Sequence, residues 1–251
     1  VNNPAETPRA LSATNPKTGK TGLYRVAGVI VRPVMRAVGN YRWTGLENLP
    51  YDRGFIVASN HASPIDPLTL AHYLFNADRP ARFMAKESLF RVPVLGYFMR
   101  NLRMIPVFRG TSRAGESIQI ADQLLKEGYC VGVYPEGTLT KDPEGWPMQG
   151  RTGVARLALA TQAPVIPVGQ WGQLGLWPRG KKFFTLFPRQ TVSVHAGQPV
   201  DLSDLYDKEP DAAVLREATD RIMRAITDIV AEARGETPPA EFFNPRATKS
   251  E

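Results

Sequence analysis

Seven consecutive residues, Asn60-His61-Ala62-Ser63-Pro64-Ile65-Asp66, hold the side chains best suited to chemistry. A histidine followed five positions later by a carboxylate can form a base and its orienter. The carboxylate accepts one ring N–H and fixes the tautomer, and the other ring nitrogen is left to take a proton from an alcohol. The same residues also spell a helix start, with Ser63 as N-cap, Pro64 at the first helical position and Asp66 closing a capping box. Taken alone, the stretch supports both readings.

The surrounding chain must present these groups. Phe55 to Ala58 is a short apolar run that reads as a buried strand, and Pro67 to Phe75 reads as a helix, so His61 lies at a strand mouth. Arg82 to Lys86 is a second short strand. Ligands gather at the carboxyl ends of strands in parallel α/β sheets, which makes Lys86 a candidate phosphate contact. Arg103 to Val107 forms a strand that leads to Arg109 and Gly110, in the turn before a helix over residues 112–126. Guanidinium grips phosphate with a planar fork, and a helix N-terminus adds its own positive end. Tyr129 to Tyr134 is a central strand that delivers Pro135-Glu136-Gly137-Thr138, where glycine permits a sharp turn and close backbone approach to a ligand. Val165 to Val168 and Thr191 to His195 read as two further strands. Pro210 to Ala233 is an amphipathic helix with Leu215, Ala218, Ile222, Ile226 and Ile229 inward, stopped by Gly235.

Asn60-His61 with Asp66, then Ile105-Pro106-Val107-Phe108-Arg109, then Pro135-Glu136-Gly137-Thr138, then Val165-Ile166-Pro167-Val168 occur in the order seen in one enzyme family. On these blocks the chain resembles the glycerolipid acyltransferases of the 1-acylglycerol-3-phosphate acyltransferase type. The resemblance spans roughly residues 55–170. It implies an α/β fold, a single domain with a mixed, mostly parallel sheet flanked by helices. It also implies transfer of a fatty acyl group from a thioester, acyl-CoA or acyl-carrier protein, to a hydroxyl of 1-acylglycerol-3-phosphate in phospholipid biosynthesis. In that scheme His61 is the general base and Asp66 orients it, Arg109 binds the acceptor phosphate, and Glu136, Gly137 and Thr138 help to position the acceptor. No metal, cofactor or nucleic acid is implied, and the expected place of action is the cytoplasmic face of a membrane, peripherally bound.

One position departs from the family pattern. A basic residue is usual after the Glu-Gly-Thr segment, and here Leu139 stands instead. Arg151, ahead of a helix reaching Ala160, is the candidate to restore that charge, in which case Arg151→Ala raises KM for a phosphorylated acceptor. Three alternatives remain open: acylation of glycerol-3-phosphate or another lysolipid, thioester hydrolysis with His61 activating water, and a non-enzymatic module that binds anionic membranes.

With 251 residues and 43% hydrophobic content the chain suits one domain, and its net charge of +7 asks for an anionic partner. The lone Cys130 precludes an internal disulfide and sits in an apolar run, as a small buried hydrophobe would. No apolar stretch is long enough for a transmembrane helix. Residues 1–20 read as a mobile arm, 21–40 as a basic amphipathic helix, 41–234 as the domain and 235–251 as a tail. On the helical wheel Leu23, Val26, Ile30, Val34 and Val38 oppose Arg25, Arg32 and Arg36, with Pro33 interrupting. Such a helix can lie in a membrane interface or pack on the core. Ser88 to Asn101 suits an acyl-chain tunnel, a bilayer-dipping element or a core helix, and Trp171 to Arg189 has the aromatic and basic composition of an interfacial belt. His72 and His195, with no carboxylate at a comparable spacing, read as structural or solvated.

Overall fold

The computed structural model describes residues 22–108, 113–181, 185, 187–245 and 247. The expected N-terminal arm, Arg109, Lys182, Phe183 and Phe184 lie outside the described residues. Seven strands form one sheet in the order β1-β7-β6-β2-β5-β3-β4. They are β1 (Gly39–Thr44), β2 (Phe55–Ser59), β3 (Ala81–Lys86), β4 (Ile105–Val107), β5 (Cys130–Val133), β6 (Val165–Trp171) and β7 (Gln190–Ala196). Every pairing is parallel except β6 with β7. Strands β6, β2, β5, β3 and β4 therefore share one direction, and their carboxyl ends open on one edge of the sheet.

Strand β2 is buried on both faces, as expected of a central strand in a covered parallel sheet. Its alternation divides the core. Phe55 and Val57 face one cluster with Leu70, Tyr73 and Leu74 of α2 (Asp66–Asn76) and Met35 of α1 (Gly22–Val38). Ile56 and Ala58 face a second cluster. There they meet Leu124 of α4 (Ala114–Lys126), Leu157 of α5 (Gly153–Thr161) and Ile222 of α7 (Ala212–Arg234). The other α-helices among the described residues are α3 (Pro93–Asn101) and α6 (Gln173–Leu176). Helix α7 ends as expected, with Gly235 in the left-handed region at φ 68°.

The packing of α1 differs from the wheel. Tyr24, Gly28, Met35 and Val38 are buried, while Val26 and Val34, on the apolar side of the wheel, are more than half exposed together with Val29. Gly28 explains the rotation: the Phe75 ring of α2 lies so close that a Cβ there would be 2.4 Å from its tip. The Tyr24 hydroxyl donates to the Ala81 carbonyl and pins the helix in that setting. Pro33 is accommodated within one helix.

Two further segments are placed by their packing. Helix α3 is not a core helix, since Gly96 is its one buried residue and Val94 is 72% exposed. Part of the C-terminal tail lies against the domain. Phe242 packs on the core beneath the Arg224 guanidinium, and the Phe243 carbonyl accepts the Gln149 N–H at 3.0 Å. Among the described residues no helix is long and apolar enough to cross a membrane.

Candidate active site

Strand β2 ends at Ser59, and Asn60 continues the sheet with its side chain. Its amide donates to the Gln170 carbonyl at 2.9 Å and accepts from the Gln170 N–H at 2.8 Å. The chain then turns, and His61 is held by its backbone at both ends. Its N–H donates to Glu136 Oε1 at 2.7 Å, and its carbonyl accepts from the Thr140 N–H at 2.6 Å.

The imidazole Nδ1 lies 3.0 Å from Asp66 Oδ2. That same oxygen accepts the backbone N–H groups of Ala62 at 2.6 Å and Ser63 at 2.8 Å. A carboxylate oxygen with these neighbours is an acceptor, so in the neutral ring the proton belongs on Nδ1 and the Nε2 lone pair is left open. Burial pushes the Asp66 carboxyl above its usual range, and the His61 ring and the two backbone N–H groups pull it back. The helix starts later than the capping-box reading expects. Helix α2 begins at Asp66 itself, with Ile65 as the residue before it and Pro67 in its first turn. Ser63 is not the N-cap: its hydroxyl donates to the Trp177 carbonyl at 2.7 Å. Asp66 Oδ2 thus closes the turn ahead of the helix and orients the ring, and no side chain caps the helix start.

Strand β5 delivers the second loop. Gly137 has φ 72°, which a side chain would strain, and its N–H closes a turn onto the Tyr134 carbonyl at 2.9 Å. Glu136 is 1% exposed, with Oε1 on the His61 N–H and Oε2 accepting the Met148 N–H at 3.1 Å. Burial pushes its carboxyl up to about 8 against the pull of those donors. Glu136 does not border the cavity. It was expected at the acceptor, and it fastens the His61 turn instead.

A cavity of about 680 Å³ opens beside His61. His61, Tyr134, Gly137, Thr138 and Lys86 border it on the side of the sheet edge. Leu68 of α2, Val31 of α1 and Leu95, Phe98 and Met99 of α3 make the rest of it mainly apolar. His61, Lys86, Gly137 and Thr138 are thus brought together. Arg151 is not: its side chain is exposed away from the cavity, and its N–H donates to the Pro135 carbonyl at 2.8 Å. Arg109 lies outside the described residues.

Two further residues matter here. Tyr134 stacks on the His61 ring, with centroids 4.3 Å apart and planes at 27°. Its sequence signal is an aromatic residue closing a buried strand just before the Pro-Glu-Gly turn. Thr140 carries no such signal. His72 borders the same cavity, buried edge-on against Trp43 and Tyr41, and burial with nearby Arg32 lowers its pKa to about 4, so it stays neutral. His195 pairs with Thr44 Oγ1 at 2.7 Å, far along the sheet. Cys130 is fully buried and its thiol is pushed up to about 12, which removes it as a nucleophile. The expected aromatic belt is partly dismantled. Trp171 and Trp146 sandwich the Arg234 guanidinium, Trp177 packs on the core, and Phe187 is 83% exposed.

A family model described as Acyltransferase matches residues 40–171, just over half of the chain. The chain belongs to the acyltransferase family. Over 203 residues this acyltransferase is 29% identical to the 1-acyl-sn-glycerol-3-phosphate acyltransferase of Bacillus subtilis (strain 168), a match covering 80% of this chain and 95% of that protein. A chloroplastic 1-acyl-sn-glycerol-3-phosphate acyltransferase of Brassica napus is 31% identical over 140 residues. That match covers 55% of this chain and 39% of the plant protein. The crystal structure of PlsC, the 1-acyl-sn-glycerophosphate (LPA) acyltransferase of Thermotoga maritima, superposes with a TM-score of 0.67 at 25% identity. The superposition covers 86% of this acyltransferase and 81% of its neighbour. An enzyme is therefore the right class, and the non-enzymatic module is set aside.

Proposed function

We propose that this acyltransferase moves a fatty acyl group from an acyl thioester, acyl-CoA or acyl-carrier protein, to the free hydroxyl of 1-acylglycerol-3-phosphate, with His61 as general base. The observation that carries the reading is His61 Nδ1 on Asp66 Oδ2 at 3.0 Å, with the ring bordering a largely apolar cavity. The free Nε2 takes the acceptor hydroxyl proton as its oxygen bonds to the thioester carbonyl carbon. The C–S bond then breaks, and the imidazolium returns the proton to the departing sulfur. Asp66 holds the ring and balances the charge that passes through it.

The cavity volume lies within the range of small-molecule sites, and its apolar walls suit an alkyl chain. Lys86 and Thr138 are available to the acceptor phosphate, and the family resemblance adds Arg109. The exposed Val26, Val29 and Val34 of α1 and Val92, Val94 and Tyr97 around α3 support docking on a membrane surface. The exposed Arg25, Arg91 and Arg100 favour anionic lipid there, consistent with peripheral action at a cytoplasmic face.

Incubating the protein with labelled acyl-CoA and a panel of lysophosphatidate, glycerol-3-phosphate and larger lysolipids tests the assignment. Phosphatidate is the expected product, and release of free fatty acid alone would replace transfer by hydrolysis. His61→Ala is expected to lower kcat by ~10² to 10⁴ with the melting temperature unchanged. Retention of full activity ends the general-base role.

A further inference from the structure

We propose that Tyr134 is a positioning residue for this reaction, holding the His61 imidazole by its face so that Nε2 stays turned toward the cavity. This inference rests on the general-base reading of His61. The hydrogen bond to Asp66 fixes where Nδ1 lies, but the last torsion of a histidine side chain is broad, and one bond leaves the ring plane to pivot. A second restraint must act on the face. Tyr134 supplies it, stacked at 4.3 Å between centroids with the planes at 27°.

The tyrosine is itself braced. The Phe83 ring lies 6.1 Å from it and nearly parallel, at 10°. Phe83 reaches that place because its register partner across the β3–β5 pair is Gly132, where a Cβ would stand 2.5 Å from the Phe83 ring. A missing side chain on β5 admits one ring, that ring supports Tyr134, and Tyr134 supports the base. All three rings border the cavity. The stack also suits the charge that develops in the reaction, since an aromatic face attracts a neighbouring cation and His61 becomes one as it takes the acceptor's proton. Burial and the charge of Asp66 keep the Tyr134 hydroxyl protonated, so the phenol ring stays neutral.

Steady-state kinetics with an acyl-CoA and lysophosphatidate give the test, with thermal unfolding measured alongside. Tyr134→Leu is expected to lower kcat about 10- to 100-fold with acceptor KM within about threefold, the loss typical of a misplaced reacting group. Tyr134→Phe keeps the ring and is expected to restore most of that loss. Proton NMR reads the stack without any variant at this position. The chain has three histidines, and the His61 carbon-bound ring protons, assigned by their disappearance in His61→Ala, are expected upfield of those of a free imidazole. Absence of that shift in the unmodified protein, wild-type kcat in Tyr134→Leu, or a Tyr134→Phe as slow as Tyr134→Leu overturns the inference. If His61→Ala remains fully active, the general-base reading falls first. If it is inactive while Tyr134→Leu turns over normally, the positioning role fails alone.

Discussion

Glu136 shows how far apart a residue's chemical type and its use can lie. A carboxylate in a glycine turn at a strand end invites a substrate role, and here both oxygens are consumed by the N–H groups of His61 and Met148. Glutamine cannot reproduce this, because one of its two terminal atoms would set an N–H₂ against a backbone N–H. Glu136→Gln is therefore expected to destabilise the fold by about 1–3 kcal/mol and to lower kcat by loosening the His61 turn, read by chemical denaturation and turnover. The carboxyl also leaves a pH signature. Its folded value near 8 stands above the ordinary 4.5. Between those values the folded protein keeps a proton that the unfolded chain has released, so stability falls as pH rises through this window and levels off above it. Denaturation midpoints from pH 5 to 9 measure the slope. The pairing of His61 with Asp66 was legible in the sequence because its members are five residues apart in one turn. The Glu136 clamp was not, because one of its partners is a backbone group 75 residues away.

At the scale of elements, the strands read cleanly because those central to a parallel sheet are unbroken apolar runs. The packed face of α1 did not, because Gly28 and Phe75 of α2 set its rotation, and neither shows in the apolar stripe of α1 itself. For α3, apolar composition could not separate lining a cavity from filling a core, and the structure gives it the lining role with an exposed outer face. Gly96 is where α3 meets the turn before it: a Cβ there would stand 2.1 Å from the Phe90 carbonyl oxygen. Replacing a helical glycine by alanine ordinarily adds up to about 1 kcal/mol of stability. Here the sign reverses, and Gly96→Ala is expected to cost about 1–3 kcal/mol as α3 is forced outward. A raised KM for the acyl thioester, with the acceptor KM little changed, would show that the cavity wall had moved.

Across the whole molecule, the outer faces of α1 and α3 expose valines beside arginines, and both helices border the same cavity. Vesicles containing an anionic phospholipid are expected to bind the protein at low salt, with at least tenfold weaker binding after Val29→Asp combined with Val94→Asp. Equal partitioning of the double variant would remove these faces from the docking surface. Catalytic groups commonly weaken the scaffold that carries them, so that deleting one leaves a sturdier, idle protein. Asp66 Oδ2 breaks that pattern, since a single buried atom closes a turn and steers an imidazole. Asp66→Asn should cool the melting transition and silence turnover together, whereas His61→Ala should silence turnover alone. Selection for robustness and selection for catalysis then pull the same way at residue 66, and no hardened variant of this enzyme is to be found by trading that side chain away.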